Sequence, residues 1–163
     1  MRAKKFFTVN RKKLDLIVYD FDGVLTDNKV FVFEDGREGV YCSRADGWAV
    51  QQIKGLGIHQ IIVSTEKNGI VKARAKKLGV EVIHGVDNKH DVLMRYCRAK
   101  NYALKKVLYI GNDVNDLEAM KLIGYPLAPQ DAHCGILKIA KIVISKNGGH
   151  GVVREFFDNI LKI

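Results

Sequence analysis

Two carboxylates near the N-terminus are the residues of this sequence best placed to do chemistry. Asp20 and Asp22 stand two residues apart, directly before Gly23 and directly after the apolar run 14–19. Such a run, bounded by turn residues, is typical of a buried strand, and open α/β sheets bind ligands just beyond the carboxyl ends of their strands. Two acids that face one crevice repel each other, so we expect a cation or a proton between them. The alternative is that Asp-x-Asp-Gly is only a turn with Asx caps.

Polar residues also follow three further apolar runs. Ser64 and Thr65 follow run 60–63, and Lys89 follows run 80–84. Run 107–110 is followed by Gly111, Asn112, Asp113, Asn115 and Asp116. Because each group follows a predicted strand, we expect all of them to converge on one crevice.

This set of side chains suits phosphoryl transfer, in which catalysis is mainly positioning and electrostatic stabilisation. A carboxylate can attack phosphorus to form an aspartyl-phosphate. Mg²⁺ prefers oxygen ligands and can bridge the anions. A hydroxyl and a lysine can hold the phosphate oxygens, and a second acid can protonate the leaving alkoxide and later activate water.

The elements that must position these groups alternate between strand and helix patterns. Strands are predicted at 14–19, 60–63, 80–84, 107–110 and 142–144, with a shorter one at 125–127. Apolar stripes at helical spacing lie between and after them: Ala49, Ile53 and Leu56; Val71, Ala75 and Leu78; Val152, Phe156 and Ile160. The alternation predicts an α/β, Rossmann-like fold with a mostly parallel sheet and helices on both faces.

One insertion breaks the alternation. Two β-rich runs, 29–33 and 39–42, flank a turn that contains Asp35 and Gly36, which predicts a β-hairpin flap over residues 28–42. Since two isolated strands are only marginally stable, we expect this hairpin to pack on a neighbouring subunit.

Composition bounds the classes of protein to which the chain can belong. Its 163 residues, 47% hydrophobic and 28% charged, fit one soluble globular domain over 1–163 without a membrane partner. Three scattered cysteines indicate a reducing cytoplasm rather than a disulfide framework.

The net charge is +9, and a basic N-terminal arm over 1–13 contributes to it. That arm could contact nucleic acid, but no recognised motif supports such a partner, and a basic field would also concentrate a small anionic substrate.

The motifs carry a more specific resemblance. DFDGVLTD, Ser64, Lys89 and GNDVND follow the order of the four motifs of the haloacid dehalogenase-like phosphatase superfamily. The chain resembles its small-capless branch, which contains 3-deoxy-D-manno-octulosonate (Kdo) 8-phosphate phosphatases, phosphatases of nine-carbon ulosonic acids and the phosphatase-like domain of acylneuraminate cytidylyltransferases. The resemblance also includes the hairpin, RADG at 44–47, STEKN at 64–68, RAKKLG at 74–79 and GGHGVVRE at 148–155.

The resemblance implies roles for these residues. Asp20 is the nucleophile, Asp22 is the general acid/base, and Ser64 and Lys89 bind the transferring phosphate. Mg²⁺ is held by Asp20, by the Asp22 backbone carbonyl and by the fourth motif at Asn112 and Asp113, while Asp116 orients Lys89 or supports the surroundings of the metal. Substrate contacts are implied for Thr26, Arg44, Asp46, Thr65, Arg74, Gly148, Gly149 and Arg154.

The resemblance also implies an assembly and a substrate. Family members form homotetramers in which the hairpins meet centrally and a neighbour's C-terminal glycine segment can close the site. The implied substrate is a phosphorylated sugar acid, with a functional link to a cytidylyltransferase.

One residue departs from the family pattern. Active phosphatases of this branch usually carry Gly-Asp-Asp in the fourth motif, whereas this chain has Asn112 at the first acidic position. An amide oxygen can bind Mg²⁺ but brings no negative charge. We therefore expect weaker metal binding rather than lost chemistry, unless Asp113 substitutes.

Several of these residues also have ordinary structural interpretations. Asp46 is a candidate N-cap for the helix that contains Trp48, and Arg44 could pair with it there rather than contact substrate. Trp48 is assigned to the core, and Asp116 could cap a helix that begins at Leu117. The histidines share no zinc-ligand spacing.

Three functions compete. The leading hypothesis is a Mg²⁺-dependent phosphomonoesterase acting on a phosphorylated ulosonic acid. The second is a catalytically weak, phosphatase-like module for oligomerisation or regulation, which Asn112 favours and the intact Asp20 and Asp22 disfavour. The third, a phosphoacceptor receiver domain, also uses acids, a hydroxyl and a lysine, but it should lack this DxDG turn and the hairpin after it.

Overall fold

A computed structural model describes residues 8–163, and at its centre lies a six-stranded sheet. In chain order its strands are β2 (Leu16–Tyr19), β5 (His59–Val63), β6 (Glu81–Ile83), β7 (Val107–Ile110), β8 (Tyr125–Pro129) and β9 (Ile142–Ile144). Their spatial order is β6-β5-β2-β7-β8-β9, and every neighbouring pair is parallel. The chain extends the sheet first to one side of β2 and then to the other, so a topological switch point lies beside β2.

Helices cover both faces of this sheet. They are α1 (Arg44–Gly55), α2 (Gly69–Leu78), α3 (Lys89–Lys100), α4 (Leu117–Leu122), α5 (Cys134–Ile139) and α6 (Val152–Glu155), the last continued by a π-helical turn over Phe156–Ile160. One face buries Ile17 and Tyr19 against α1, α2 and α6. The other buries Val18 and Tyr109 against α3, α4 and α5. This alternation is the period-two pattern of a strand covered on both sides.

The predicted fold class is therefore confirmed. The flap is also present as an antiparallel hairpin of β3 (Phe31–Val32) and β4 (Glu38–Gly39), closed at its base by an isolated bridge between Thr26 and Cys42. Its apolar side chains are exposed, with Phe31 at 49% and Val32 at 69%.

The sequence patterns did not predict the pairing of the two chain ends. Strand β1 (Val9–Asn10) pairs in parallel with β10 (Leu161–Lys162), and a 3-10 turn over Arg11–Lys13 leads into β2. The second half of the predicted basic arm is therefore ordered structure, whereas residues 1–7 lie outside the described part.

Two local predictions were wrong, and a third was confirmed in part. Helix α1 is N-capped by Ser43 rather than Asp46, because the Ser43 side chain accepts from the Asp46 N–H. Trp48 is 46% exposed and lies under the Arg154 guanidinium rather than in the core. Helix α4 begins at Leu117 with Asp116 at its N-cap position, as predicted, but the Asp116 side chain makes no capping hydrogen bond there. Across residues 8–163, each helix is too short or too polar to traverse a lipid bilayer.

Candidate active site

The register of the sheet brings the strand ends together beside the switch point. Tyr19 of β2 is level with Ile62 of β5 and with Ile110 of β7. The residues just past these positions therefore leave the sheet side by side. One cavity of about 150 Å³ is lined by Asp20, Asp22, Asn28, Ser64, Thr65, Glu66, Asn112, Asp113 and Asn115.

A buried lysine joins two of the carboxylates below this cavity. The Nζ of Lys89, at the first position of α3, lies 2.6 Å from Asp20 Oδ1 and 2.7 Å from Asp116 Oδ1. The Lys89 side chain is 1% exposed. Burial alone would lower the pKa of Lys89, but the two carboxylates outweigh it and raise that pKa above its usual range. The Lys89 ammonium therefore stays charged beside Asp20, where it could donate a charge-assisted hydrogen bond to a phosphate on that residue.

Asp20 keeps one oxygen for chemistry. Within the described part of the chain, both hydrogen bonds that it accepts, from Lys89 Nζ and from the Phe21 N–H at 2.7 Å, fall on Oδ1. Oδ2 is therefore the oxygen available for attack. Burial and the nearby Asp116 carboxylate raise the pKa of Asp20 to about 8 against the effect of Lys89, so a cation beside it would favour the ionised form.

Asp116 is fixed from several sides. Besides Lys89, its Oδ1 accepts from the Tyr109 hydroxyl at 2.8 Å, and its Oδ2 accepts from the backbone N–H groups of Asn112 at 3.0 Å and Asp113 at 3.3 Å. Asp116 is fully buried. With its oxygens occupied in this way, Asp116 is suited to hold Lys89 rather than to bind substrate.

The loop after β2 orients Asp22. Asp22 Oδ1 accepts from the Thr26 hydroxyl at 3.2 Å, and Thr26 Oγ1 in turn accepts from the N–H groups of Gly23 and Asn28. Gly23 has a φ of +83°, and a Cβ there would lie 1.9 Å from the Asn112 amide nitrogen. Burial raises the pKa of Asp22 above its usual range, which favours a proton on this carboxyl for donation.

The side-chain oxygen of Asn112 indicates whether this site suits a metal ion. Its Oδ1 is buried and has no hydrogen-bond partner among the described residues. A buried amide oxygen without a partner is costly, and Asn112 lines the same cavity as Asp20. No three His, Cys, Asp or Glu side chains within residues 8–163 form a cluster that could hold a metal ion. The donors that fit a hard cation are therefore mixed: the Asp20 carboxylate, the Asn112 amide oxygen and a backbone carbonyl.

Other residues with predicted roles lie around this centre. Ser64 is 1% exposed, and its Oγ accepts from the Glu66 N–H at 3.1 Å. Thr65 accepts from the Asn115 side chain at 3.5 Å. The Asp113 carboxylate lines the cavity but also accepts from the Val114 N–H at 2.7 Å, where it caps a 3-10 turn.

A second group of predicted substrate-binding residues lies elsewhere. Arg44 and Arg74 line a larger cavity of about 490 Å³, whose lining includes no carboxylate. The Nη2 of Arg74 donates to the Ser43 carbonyl at 2.8 Å. Arg154 pairs with Asp158 at 2.6 Å, and Asp46 Oδ1 accepts from the Arg154 backbone N–H at 2.9 Å. These four residues are not among those that line the acidic cavity. The smaller cavity remains the candidate active site because it holds the acids.

Two contributors to the site were missed from the sequence. Tyr109 lies in the middle of the apolar strand β7, where nothing distinguishes its hydroxyl from a core tyrosine. Asn28 has a φ of +63° in the loop that leads to the hairpin. The Asp-Asn pair at 27–28 is a turn signal that could have indicated it.

Comparison with known proteins gives a consistent relationship. A model of the haloacid dehalogenase-like hydrolase family matches residues 58–156. The Kdo 8-phosphate phosphatase KdsC of Salmonella typhi is 29% identical over 151 residues, which cover 92% of this chain and 80% of that protein. N-acylneuraminate cytidylyltransferase A of Danio rerio is 30% identical over 150 residues, which cover 90% of this chain but 34% of that protein. The chain thus spans about a third of the length of that cytidylyltransferase.

Solved structures extend the comparison. A Streptomyces avermitilis protein described as a HAD family hydrolase has a TM-score of 0.91 and 40% identity, over 94% of this chain and 88% of that one. The Moraxella catarrhalis Kdo 8-phosphate phosphatase, solved with magnesium, phosphate and Kdo, has a TM-score of 0.85 and 30% identity, over 88% of this chain and 83% of that one.

Proposed function

The chain belongs to the haloacid dehalogenase-like hydrolase family, and from that premise we propose that it is a Mg²⁺-dependent phosphomonoesterase acting on a phosphorylated ulosonic acid of the Kdo or sialic acid type. The observation that carries the proposal is the Lys89 ammonium between Asp20 and Asp116, beside a cavity that Ser64 and Asn112 share. The substrate class is supported by the names of two relatives, a Kdo 8-phosphate phosphatase and an N-acylneuraminate cytidylyltransferase.

The reaction follows from the placement of the two acids. Asp20 Oδ2 attacks phosphorus and the ester P–O bond breaks, while the Asp22 proton passes to the leaving alkoxide. Asp22, now ionised, takes a proton from a water molecule that attacks the aspartyl-phosphate. The bond between phosphorus and Asp20 breaks, and inorganic phosphate leaves. Ser64 and Lys89 hold the phosphate oxygens through both steps.

The residues present fit a magnesium ion. Asp20, the Asp22 backbone carbonyl and Asn112 Oδ1 would hold it, and Asp113 could replace or add to the amide. When bound, Mg²⁺ supplies positive charge that offsets the repulsion between the nucleophile and the phosphate dianion. In the family pattern the nucleophile and the first acid of the fourth motif place two carboxylates on the metal. This chain has the Asp20 carboxylate and the neutral amide of Asn112 at these two positions, so we expect weak metal binding.

A direct assay tests the proposal. Wild-type protein with Mg²⁺ should release phosphate from Kdo 8-phosphate or from a nine-carbon ulosonic acid 9-phosphate, and Asp20→Asn should abolish the release. The matched control is Asp91→Asn, which removes an exposed carboxylate that pairs with His90 outside the cavity and should leave turnover unchanged. If a broad panel of phosphate esters shows no turnover that depends on Asp20, the proposed function is wrong.

A second candidate is a phosphatase-like module that serves oligomerisation, or regulation of a cytidylyltransferase. The exposed apolar hairpin favours an assembly, and we propose that it is a homotetramer built on Val30, Phe31, Val32, Phe33 and Tyr41, which are 49–69% exposed. Deleting residues 29–41 should lower the mass measured by light scattering. Assembly without any turnover would favour the module, whereas turnover that depends on Asp20 would favour the enzyme.

A further inference from the structure

The C-terminal glycine segment, Gly148–Gly151, packs against the loop that carries the general acid of the same chain. The Gly149 N–H donates to the Val24 carbonyl at 3.0 Å. A Cβ on Gly148 would lie 2.3 Å from the Gly23 carbonyl oxygen, and a Cβ on Gly149 would lie 2.5 Å from the Asp27 nitrogen. Any side chain at either position would collide with backbone, so this contact requires glycine.

The loop beneath this contact is the one that orients Asp22. Thr26 holds the Asp22 carboxyl, and Thr26 is fully buried. The Cβ of any residue at 149 would also lie 2.6 Å from the Thr26 carbonyl carbon. A displacement of the glycine segment would therefore be transmitted to Thr26 and through its hydroxyl to Asp22.

Two carboxylates fix the segment in place. The Gly148 N–H donates to Asp131 Oδ1 at 3.0 Å at one end. Just beyond the other end, in α6, the Arg154 N–H donates to Asp46 Oδ1 at 2.9 Å, and Asp46, on α1, is 1% exposed. The buried Asp46 carboxylate thus ties the start of α6 to α1, and the glycine segment is held between these two anchors.

We propose that the Gly148–Gly151 segment, anchored by Asp46, positions Asp22 for proton donation to the leaving group. Asp46 and Gly149 are then positioning residues, which act through Thr26 and need not touch the substrate. This inference rests on the proposed phosphatase function and assigns to the segment a role within its own subunit.

The test separates proton donation from general damage by comparing two leaving groups. A sugar alkoxide needs a proton as it departs, whereas 2,4-dinitrophenolate does not. Variants Gly149→Ala and Asp46→Asn are assayed with Kdo 8-phosphate and with 2,4-dinitrophenyl phosphate. The quantity compared is kcat/KM, because it reports only the steps up to departure of the leaving group. Gly57→Ala is the control, since Gly57 has a similar φ of +77° but nothing within 4 Å of its added Cβ.

The expected result is selective. Gly149→Ala should lower kcat/KM for Kdo 8-phosphate about tenfold or more, while the value for the dinitrophenyl ester changes less than about twofold. Asp46→Asn should show the same selectivity with a smaller loss, and Gly57→Ala should change neither value. An equal loss on both esters in Gly149→Ala and Asp46→Asn, or no loss on either, would overturn the inference. Wild-type protein inactive on every ester would overturn the proposed function and the inference with it.

Discussion

Removing the buried ammonium of Lys89 should destabilise the protein in a manner that depends on pH. In Lys89→Met the side chain keeps its approximate length but leaves Asp20 and Asp116 buried without a cation. Removing one partner of a buried ion pair costs about 3–5 kcal/mol. Asp116 keeps its hydrogen bonds from Tyr109 and from two backbone N–H groups, so we expect the lower end, about 3 kcal/mol, once both carboxylates are ionised.

The sign of the pH dependence follows from Asp20. Its pKa in the folded wild type is already raised to about 8, and loss of Lys89 removes the main effects that oppose this rise. The folded variant then binds more protons than the unfolded chain, whose carboxyl pKa is about 3.9. Between the unfolded pKa and about pH 8 the unfolding free energy of wild type and variant should fall together, because Asp20 is protonated in both folded proteins. Above pH 8 wild-type Asp20 ionises while Asp20 of the folded variant keeps its proton, so only the variant continues to lose stability. The deficit of Lys89→Met should therefore be larger near pH 9.5 than near pH 6.

Urea denaturation in EDTA at the two pH values measures this deficit. Lys106→Met is the control, because Lys106 pairs with Asp15 at 3.4 Å on the surface and should cost no more than about 1 kcal/mol. Adding Asp116→Asn to Lys89→Met should restore part of the lost stability. A loss near pH 9.5 no larger than that of the control, or equal losses at both pH values, would refute the reasoning.

Three further predictions concern single side chains. Asn112→Asp adds a negative charge to the proposed metal site and should tighten Mg²⁺ binding about tenfold or more by calorimetry; unchanged affinity would mean that Asn112 is not a ligand. Tyr109→Phe removes a hydrogen bond from Asp116 and should lower kcat about tenfold, while KM changes by less than about twofold. The control Tyr19→Phe should cost about 1 kcal/mol of stability and leave both kinetic constants unchanged. Equal kinetics in the two variants would exclude the positioning role of Tyr109. Burial raises the pKa of Asp46, so wild-type unfolding free energy should fall relative to Asp46→Asn as the pH rises from the ordinary carboxyl pKa through the raised one; parallel urea-denaturation profiles would contradict this.

The convergence of the chemical groups could be predicted because it depends on the parallel direction of the strands. Asp20, Ser64 and Asn112 each follow an apolar run, and parallel strands end at a common edge. Lys89 was placed by the same reasoning at the start of a helix beyond β6. The alternation of strand and helix patterns was likewise sufficient for the fold class.

Contacts between distant segments could not be read from local patterns. Asp46 resembles an N-cap in sequence, but Ser43 caps the helix, and the Asp46 carboxylate instead accepts from the backbone N–H of Arg154, 108 residues away. The hydroxyl of Tyr109 reaches Asp116 only because β7 and the turn after it fold back together. Trp48 is apolar in type, yet its face lies 4.2 Å from the Arg154 guanidinium on the surface.

The most direct test of the account is to find phosphate on Asp20. In Asp22→Asn, 2,4-dinitrophenyl phosphate needs no acid for its first step, while the missing base slows hydrolysis of the intermediate, so the aspartyl-phosphate should accumulate. Acid quenching, borohydride reduction and peptide mass mapping should then reveal conversion of Asp20 to homoserine, and Asp20→Asn should yield no such product. Dinitrophenolate release without a reducible acyl phosphate at Asp20, or with one on another carboxylate, would contradict the central claim.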